Sequence, residues 1–151
     1  MNKYIVIFII ILIALIAGCN NNGDNVPDNS YKPLMELTLN KNSINVGSDT
    51  LSETITLTLV KKDNEKVKSS FVIELISPEK EFIYFSDDTN KLIESMNSTL
   101  FEHEGDRQLY DFKVYAKKDP QKDSVEYILK FKLLHNGEEI GNMPNLKVRV
   151  I

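Results

Sequence analysis

From Met35 onward, apolar side chains return at every second position, the spacing of strands that bury one face. Met35, Leu37 and Leu39 alternate with Glu36, Thr38 and Asn40, and Ile55, Leu57 and Leu59 alternate with Thr54, Thr56 and Thr58. The pattern recurs in Phe71, Ile73 and Leu75, in Phe112, Val114 and Ala116, in Val125 through Leu133, and in Leu146, Val148 and Val150. Ile128 alone interrupts the polar side of its run. Successive side chains of a strand point to opposite faces, so each run predicts one apolar and one polar face. Phe82-Ile83-Tyr84-Phe85 is too apolar to alternate. It fits a strand buried on both faces or capping the core, or one with a docking patch on one side.

Turn chemistry separates the runs. Asp63-Asn64, Pro78, Asp87-Asp88, Gly105-Asp106 and Asp119-Pro120 fall between them. Asn136-Gly137 is the strongest hairpin signal, because both central residues of a type I′ turn need positive φ. Gly141 and Pro144 interrupt before the last run and predict a bulge or an edge irregularity. Thr89–Asn97 admits two readings. One is a short helix with Leu92, Ile93 and Met96 on one face behind an Asp88 or Thr89 cap; the other is an irregular loop. Seven to eight strands without βα alternation predict an all-β chain, an antiparallel β-sandwich.

The first 33 residues are chemically different. Lys3 is followed by fourteen residues, Tyr4 to Ala17, without a charge, and then by Gly18 and the single cysteine, Cys19. A membrane-spanning helix needs about 20 apolar residues, so this stretch is too short to span. Ile16-Ala17-Gly18-Cys19 resembles the lipobox of prokaryotic lipoproteins. That resemblance implies a cleaved signal peptide over 1–18, with Cys19 as the lipidated mature N-terminus. It also implies a membrane anchor through the lipid and a place on the extracytoplasmic face of the cell membrane. Two acyl chains at ~0.8 kcal/mol per buried methylene hold such an anchor firmly. Asn20–Pro33 carries Asn20-Asn21-Asn22-Gly23, Pro27 and Pro33, and reads as a flexible tether with ends roughly 20 Å apart. The expected organisation is therefore signal peptide 1–18, lipidated cysteine and tether 19–33, and sandwich 34–151.

Lys3 is the only charge in residues 1–18, so the remainder carries 17 basic and 22 acidic side chains. No basic stripe stands out, and nucleic acid is not an expected partner. With one cysteine, no intramolecular disulfide is available, and stability must come from packing.

The strand landmarks resemble the immunoglobulin-like modules of prokaryotic cell-surface proteins, in particular CARDB-type and α-galactosidase-associated modules. The residues that carry this likeness are Thr54–Val60, the polar turn Lys62–Lys66, Phe71–Pro78, Gly105-Asp106 before Leu109–Ala116, and Tyr127. Asp123-Ser124-Val125-Glu126-Tyr127 also looks like a tyrosine corner, although Val125 stands where Ala or Gly is usual. The resemblance implies an immunoglobulin-like sandwich in a binding role. It brings no catalytic residue and no cofactor.

Other chemistry is thin. His135 adjoins the Asn136-Gly137 turn and reads as a solvated turn residue. Glu102-His103-Glu104 offers three potential ligands, but on an extended backbone the glutamates diverge from the histidine, so no metal site is expected. Asp87-Asp88, with Asp106 or Asp123, offers oxygen ligands for calcium but lacks the calcium-loop pattern, which favours solvated turn acids. No Gly-x-Ser-x-Gly elbow occurs, and no catalytic residue is assigned. Asn97-Ser98-Thr99 is a glycosylation sequon whose acceptor is Asn97.

The expected function is a non-catalytic, lipid-anchored binding module of the cell envelope. It would meet an envelope protein or surface polysaccharide through the loops at one end of the sandwich or through an open sheet edge. The rivals are a solute-binding or carrier lipoprotein, which needs a pocket of ~300 Å³ or more, and a small envelope enzyme or inhibitor.

Overall fold

The computed structural model describes residues 32–67, 69–121 and 125–151. The expected signal peptide, Cys19 and the tether through Tyr31 lie outside the described residues, as do Asp123 and Ser124 of the tyrosine-corner motif. Lys32–Ile151 forms a compact unit of its own.

Eleven strands and no helix occur among the described residues. They are β1 (Met35–Leu39), β2 (Ser43–Val46), β3 (Thr50–Leu51), β4 (Ile55–Lys61), β5 (Phe71–Ile76), β6 (Ile83–Ser86), β7 (Ser95–Asn97), β8 (Arg107–Ala116), β9 (Val125–His135), β10 (Glu138–Glu139) and β11 (Asn145–Val150). Eight of these have four residues or more, and each foreseen run is a strand. In the first sheet β1 pairs β4, β4 pairs β8, and β3 and β6 both join the last residues of β8. The second sheet runs β2-β11-β9-β5-β7, with β10 folded back on β9. All pairings are antiparallel except one: β2 lies parallel to β11. The first two described strands are thus split, with β1 in one sheet and β2 in the other. That arrangement, with an interlocked two-sheet core, makes this an immunoglobulin-like β-sandwich.

Alternation explains the core. Along β4 the inward positions Ile55, Leu57 and Leu59 are fully buried while the threonines between them face out. Val125, Tyr127, Leu129, Phe131 and Leu133 do the same on β9. Phe85 from β6, Phe112 from β8 and Phe131 from β9 meet across the sheets, with ring centroids 5.2 to 5.7 Å apart. The two contacts made by Phe85 are edge-to-face, and such contacts add about 0.5–1.5 kcal/mol each beyond burial.

Within the run 82–85, Ile83 to Phe85 belong to β6 and alternate after all. Ile83 and Phe85 point into the core, and Tyr84 stands outside against Tyr115. Thr89–Asn97 forms no helix. A turn carries the chain to a bridge between Ser86 and Leu92, and Ser95–Asn97 then pairs with β5. The second sheet's unfilled edge captured these residues, and three ladder pairs replace what a two-turn helix offers. Asn136-Gly137 makes the expected hairpin, with φ of 52° and 81° and Glu138 opposite His135.

Strand directions give the sandwich two distinct ends. Lys32, where the described chain begins, lies at one end. Its ammonium meets Glu138 at 2.8 Å, and Leu34 N–H donates to Asp63 Oδ2 at 2.6 Å. The loops 62–70, 98–106 and 136–144 share this entry end. The loops 47–54, 77–82 and 117–121 and the final residue Ile151 share the far end.

Candidate functional site

The far-end loops are knit together by backbone geometry. Lys117 N–H donates to Phe82 O at 2.7 Å, and Lys118 N–H donates to Ser48 Oγ at 3.1 Å. Asp49 N–H reaches Ala116 O at 2.8 Å, and Thr50 Oγ1 donates to Gly47 O at 2.7 Å. Three loops are thereby tied to the ends of β6 and β8, rigid strands that fix their position. Between the 77–82 and 117–121 loops lies an open recess of about 490 Å³, lined by Glu81, Phe82, Lys117, Asp119, Pro120 and Gln121. Asp119 is buried, and its Oδ1 accepts from Gln121 N–H at 2.9 Å. The recess therefore offers an aromatic wall, a proline, one cation and two carboxylates.

Beside it, on the outer face of the first sheet, Tyr84 and Tyr115 stack with centroids 4.9 Å apart and planes 24° from parallel. They are cross-strand partners in the β6–β8 register. Tyr84 donates to Asn90 Oδ1 at 3.1 Å and Tyr115 donates to Asp49 Oδ1 at 3.2 Å. Both acceptors have positive φ, 62° and 57°, a conformation that Asn and Asp tolerate better than most residues. Desolvation, and then the Asp49 carboxylate, push the Tyr115 phenol above its ordinary value of 10.0, so it stays a neutral donor.

The sequence candidates are dispersed. Asn97 is exposed, but it sits at the end of β7 and not in a loop. Its neighbour Ser98 is buried, with its hydroxyl donating to Thr99 O and accepting from Phe71 N–H, both at 2.8 Å. His103 lies at the entry end, exposed, with Glu102 3.9 Å away. His135 is not a solvated turn residue. Its ring packs on Phe71 at 4.9 Å and its Nε2 is hydrogen-bonded to Ser69 Oγ at 2.8 Å. Burial holds this imidazole below its ordinary value of 6.5. Ser69 also donates to Asn136 Oδ1 at 3.1 Å, so its hydroxyl links the imidazole to the turn asparagine.

The turn acids are occupied locally. Asp87 Oδ1 accepts from Thr89 N–H, Thr89 Oγ1 and Lys91 N–H at 2.7 to 2.9 Å, which holds its carboxyl below the usual range. Asp88 pairs with Lys113 at 3.0 Å. Asp106 accepts from Glu102 and His103 N–H at the entry end, well separated along β8 from Asp87, and Asp123 lies outside the described residues. Among the described residues no group of three or more potential ligands is placed to hold a metal. The far-end recess and the tyrosine pair escaped sequence reasoning because they join segments about 30 residues apart. Only the apolar run at 82–85 pointed toward them.

No family model matches the chain, and no curated protein matches it. Solved structures do. A portion of the native α-2-macroglobulin of Escherichia coli, spanning its MG7 domain to the C-terminus, matches at a TM-score of 0.52 with 13% identity. The match covers 79% of this chain and 17% of that one, so the chain spans under a fifth of that structure. The CARDB domain of PF1109 from Pyrococcus furiosus matches at a TM-score of 0.47 with 14% identity, covering 80% of this chain and 98% of the other. The CooA pilin subunit of enterotoxigenic Escherichia coli matches at 0.45 with 11% identity, covering 78% and 97%. At such identities the likeness is one of fold: an immunoglobulin-like sandwich.

Proposed function

We propose that this protein is a non-catalytic binding module, carried on the extracytoplasmic face of the cell membrane by lipid on Cys19, which meets its partner with the far-end loops. One observation carries the reading. The chain enters the sandwich at Lys32, at the end opposite the recess formed by Glu81, Phe82, Lys117, Asp119, Pro120 and Gln121. An attachment upstream of Lys32 is therefore made at the other end and leaves those loops unobstructed. Loops held on a rigid sandwich are where such folds place recognition. The recess is an open surface feature with both charges and an aromatic wall, suited to a protein or polysaccharide surface more than to an enclosed solute.

Two measurements test it. Intact mass of the protein purified from its own membranes should show a chain beginning at acylated Cys19, and Cys19→Ala should release the domain from the membrane fraction. A photo-crosslinking residue at Gln121 should capture one dominant envelope component, while the same probe at His103 should not. Equal capture from both ends would remove the basis for a far-end site.

A further inference from the structure

We propose that Asn142 is a removable cover over the outer edge of β1, and that uncovering this edge lets β1 pair with β1 of a second copy of the chain. Among the described residues, β1 has only β4 as a neighbour in its sheet. Lys62 N–H donates to Leu34 O and Asn40 N–H donates to Thr56 O, so the even-numbered residues turn their backbone groups toward β4. Met35, Leu37 and Leu39 therefore turn theirs toward the open side. An edge of this kind is a template for another strand unless something blocks it.

One side chain blocks it here. Leu37 N–H donates to Asn142 Oδ1 at 2.9 Å, and Asn142 Nδ2 donates to Leu37 O at 2.8 Å. The carboxamide thus makes the pair of bonds that a residue of a neighbouring strand would make. The backbone before it is pressed against the same edge. A Cβ on Gly141 would fall 3.0 Å from Met35 O, and φ there is +75°. The cover is thin. Ile140 is anchored by its buried side chain and by its N–H on Leu133 O at 2.9 Å, but Gly141 to Met143 are exposed. Segments with so few buried contacts open at low cost.

The occupant follows from the symmetry of those groups. Leu37 presents both its N–H and its C=O outward, so in an antiparallel arrangement it forms a hydrogen-bonded pair with Leu37 of another copy. Met35 then faces Leu39 on both sides of the two-fold axis, which makes the contact self-complementary. The charges permit it. Glu36 comes opposite Thr38 of the second copy and never opposite another Glu36, and its carboxylate keeps its ion pair with Lys62 on the outer face. A β4-β1-β1-β4 ribbon results.

The experiment uses the full chain in detergent, followed by sedimentation velocity over a hundredfold range of concentration. Asn142→Ala should dimerise at concentrations at least tenfold lower than the unmodified protein does. Adding Glu36→Lys and Thr38→Lys, which sets lysine opposite lysine twice, should abolish that dimer. Hydrogen exchange provides a readout independent of assembly. The Leu37 amide should exchange faster in dilute Asn142→Ala than in the unmodified protein, and slow again as concentration rises. A folded Asn142→Ala that shows no gain in association, a dimer that survives both lysines, or capture of a different strand at β1 would overturn the proposal.

Discussion

The ammonium of Lys61 is completely withdrawn from solvent and is held by Asp63 two residues later, through both its carboxylate and its backbone carbonyl. Lys61 occupies an inward position at the end of β4, where alternation calls for an apolar residue. Asp63 does more than neutralise it, since its other carboxylate oxygen holds Leu34 N–H where the chain enters the domain. Removing the Asp63 carboxylate leaves the buried cation without its ion-pair partner beside it, with a backbone carbonyl in its place, whereas replacing the cation by an apolar residue of similar length removes the need for a partner. Asp63→Ala should therefore cost about 3–5 kcal/mol, and Lys61→Met should be near neutral or stabilising. Urea denaturation of the two variants checks the asymmetry. Equal losses would mean that the pair contributes through packing alone.

Phe131 joins the sheets. It touches Phe85 and Phe112, both from the opposite sheet, and its side chain is fully buried. Phe131→Ala should destabilise by about 3–5 kcal/mol through lost burial and the cavity left behind. The exposed Ile128 on the same strand provides the contrast, and Ile128→Thr should stay within about 0.5 kcal/mol of the parent. Thermal melts of both variants measure the difference.

Acid should weaken the fold in two separable steps. The His135 imidazole is held below 6.5 in the folded state, so near and below that pH the unfolded chain binds more protons. Stability rises with pH wherever that holds, so this contribution is present above about 6.5 and is lost as pH falls below that value toward the lower folded one. His135→Gln should flatten the melting temperature between pH 7 and pH 5.5. The lowered carboxyls of Asp87, Glu94, Asp106 and Glu138 act later. They contribute above their ordinary values of 3.8 to 4.5, and the contribution is lost in stronger acid.

Gly141 combines a left-handed backbone with a near contact to Met35 O, 3.0 Å from where a Cβ would stand. Gly141→Ala should cost about 1–2 kcal/mol, from a conformation that L-residues adopt at a penalty. A melting temperature unchanged by this substitution would show that the loop relaxes without loss.

The sandwich was readable because burial on one face imposes a period of two, and Ile55, Leu57, Leu59 and the inward face of the long β9 run express it. The short strands were not. Thr50–Leu51 and Ser95–Asn97 carry too few residues to show a period, and they are strands because β8 and β5 offer unfilled edges. Asn142 illustrates a further gap. Its partner is Leu37, and nothing local to Gly141-Asn142-Met143 announces a backbone 105 residues away. The tyrosine pair depended likewise on the β6–β8 register, which sequence does not give. Asn136-Gly137 was legible because its turn is specified by its own two residues.

The ladder between β1 and β4, five residue pairs from Met35–Lys61 to Leu39–Leu57, also governs how the domain resists traction. A pull on the chain ahead of Lys32, with the load hung on the far-end loops, runs along the axis of β1. Hydrogen bonds in an antiparallel ladder lie across that axis. They are then loaded side by side in shear and must yield together, instead of parting one after another as in a zipper. A domain loaded in this way would hold fast under tension, and single-molecule extension from the N-terminal side should meet its main force peak when β1 slides from β4.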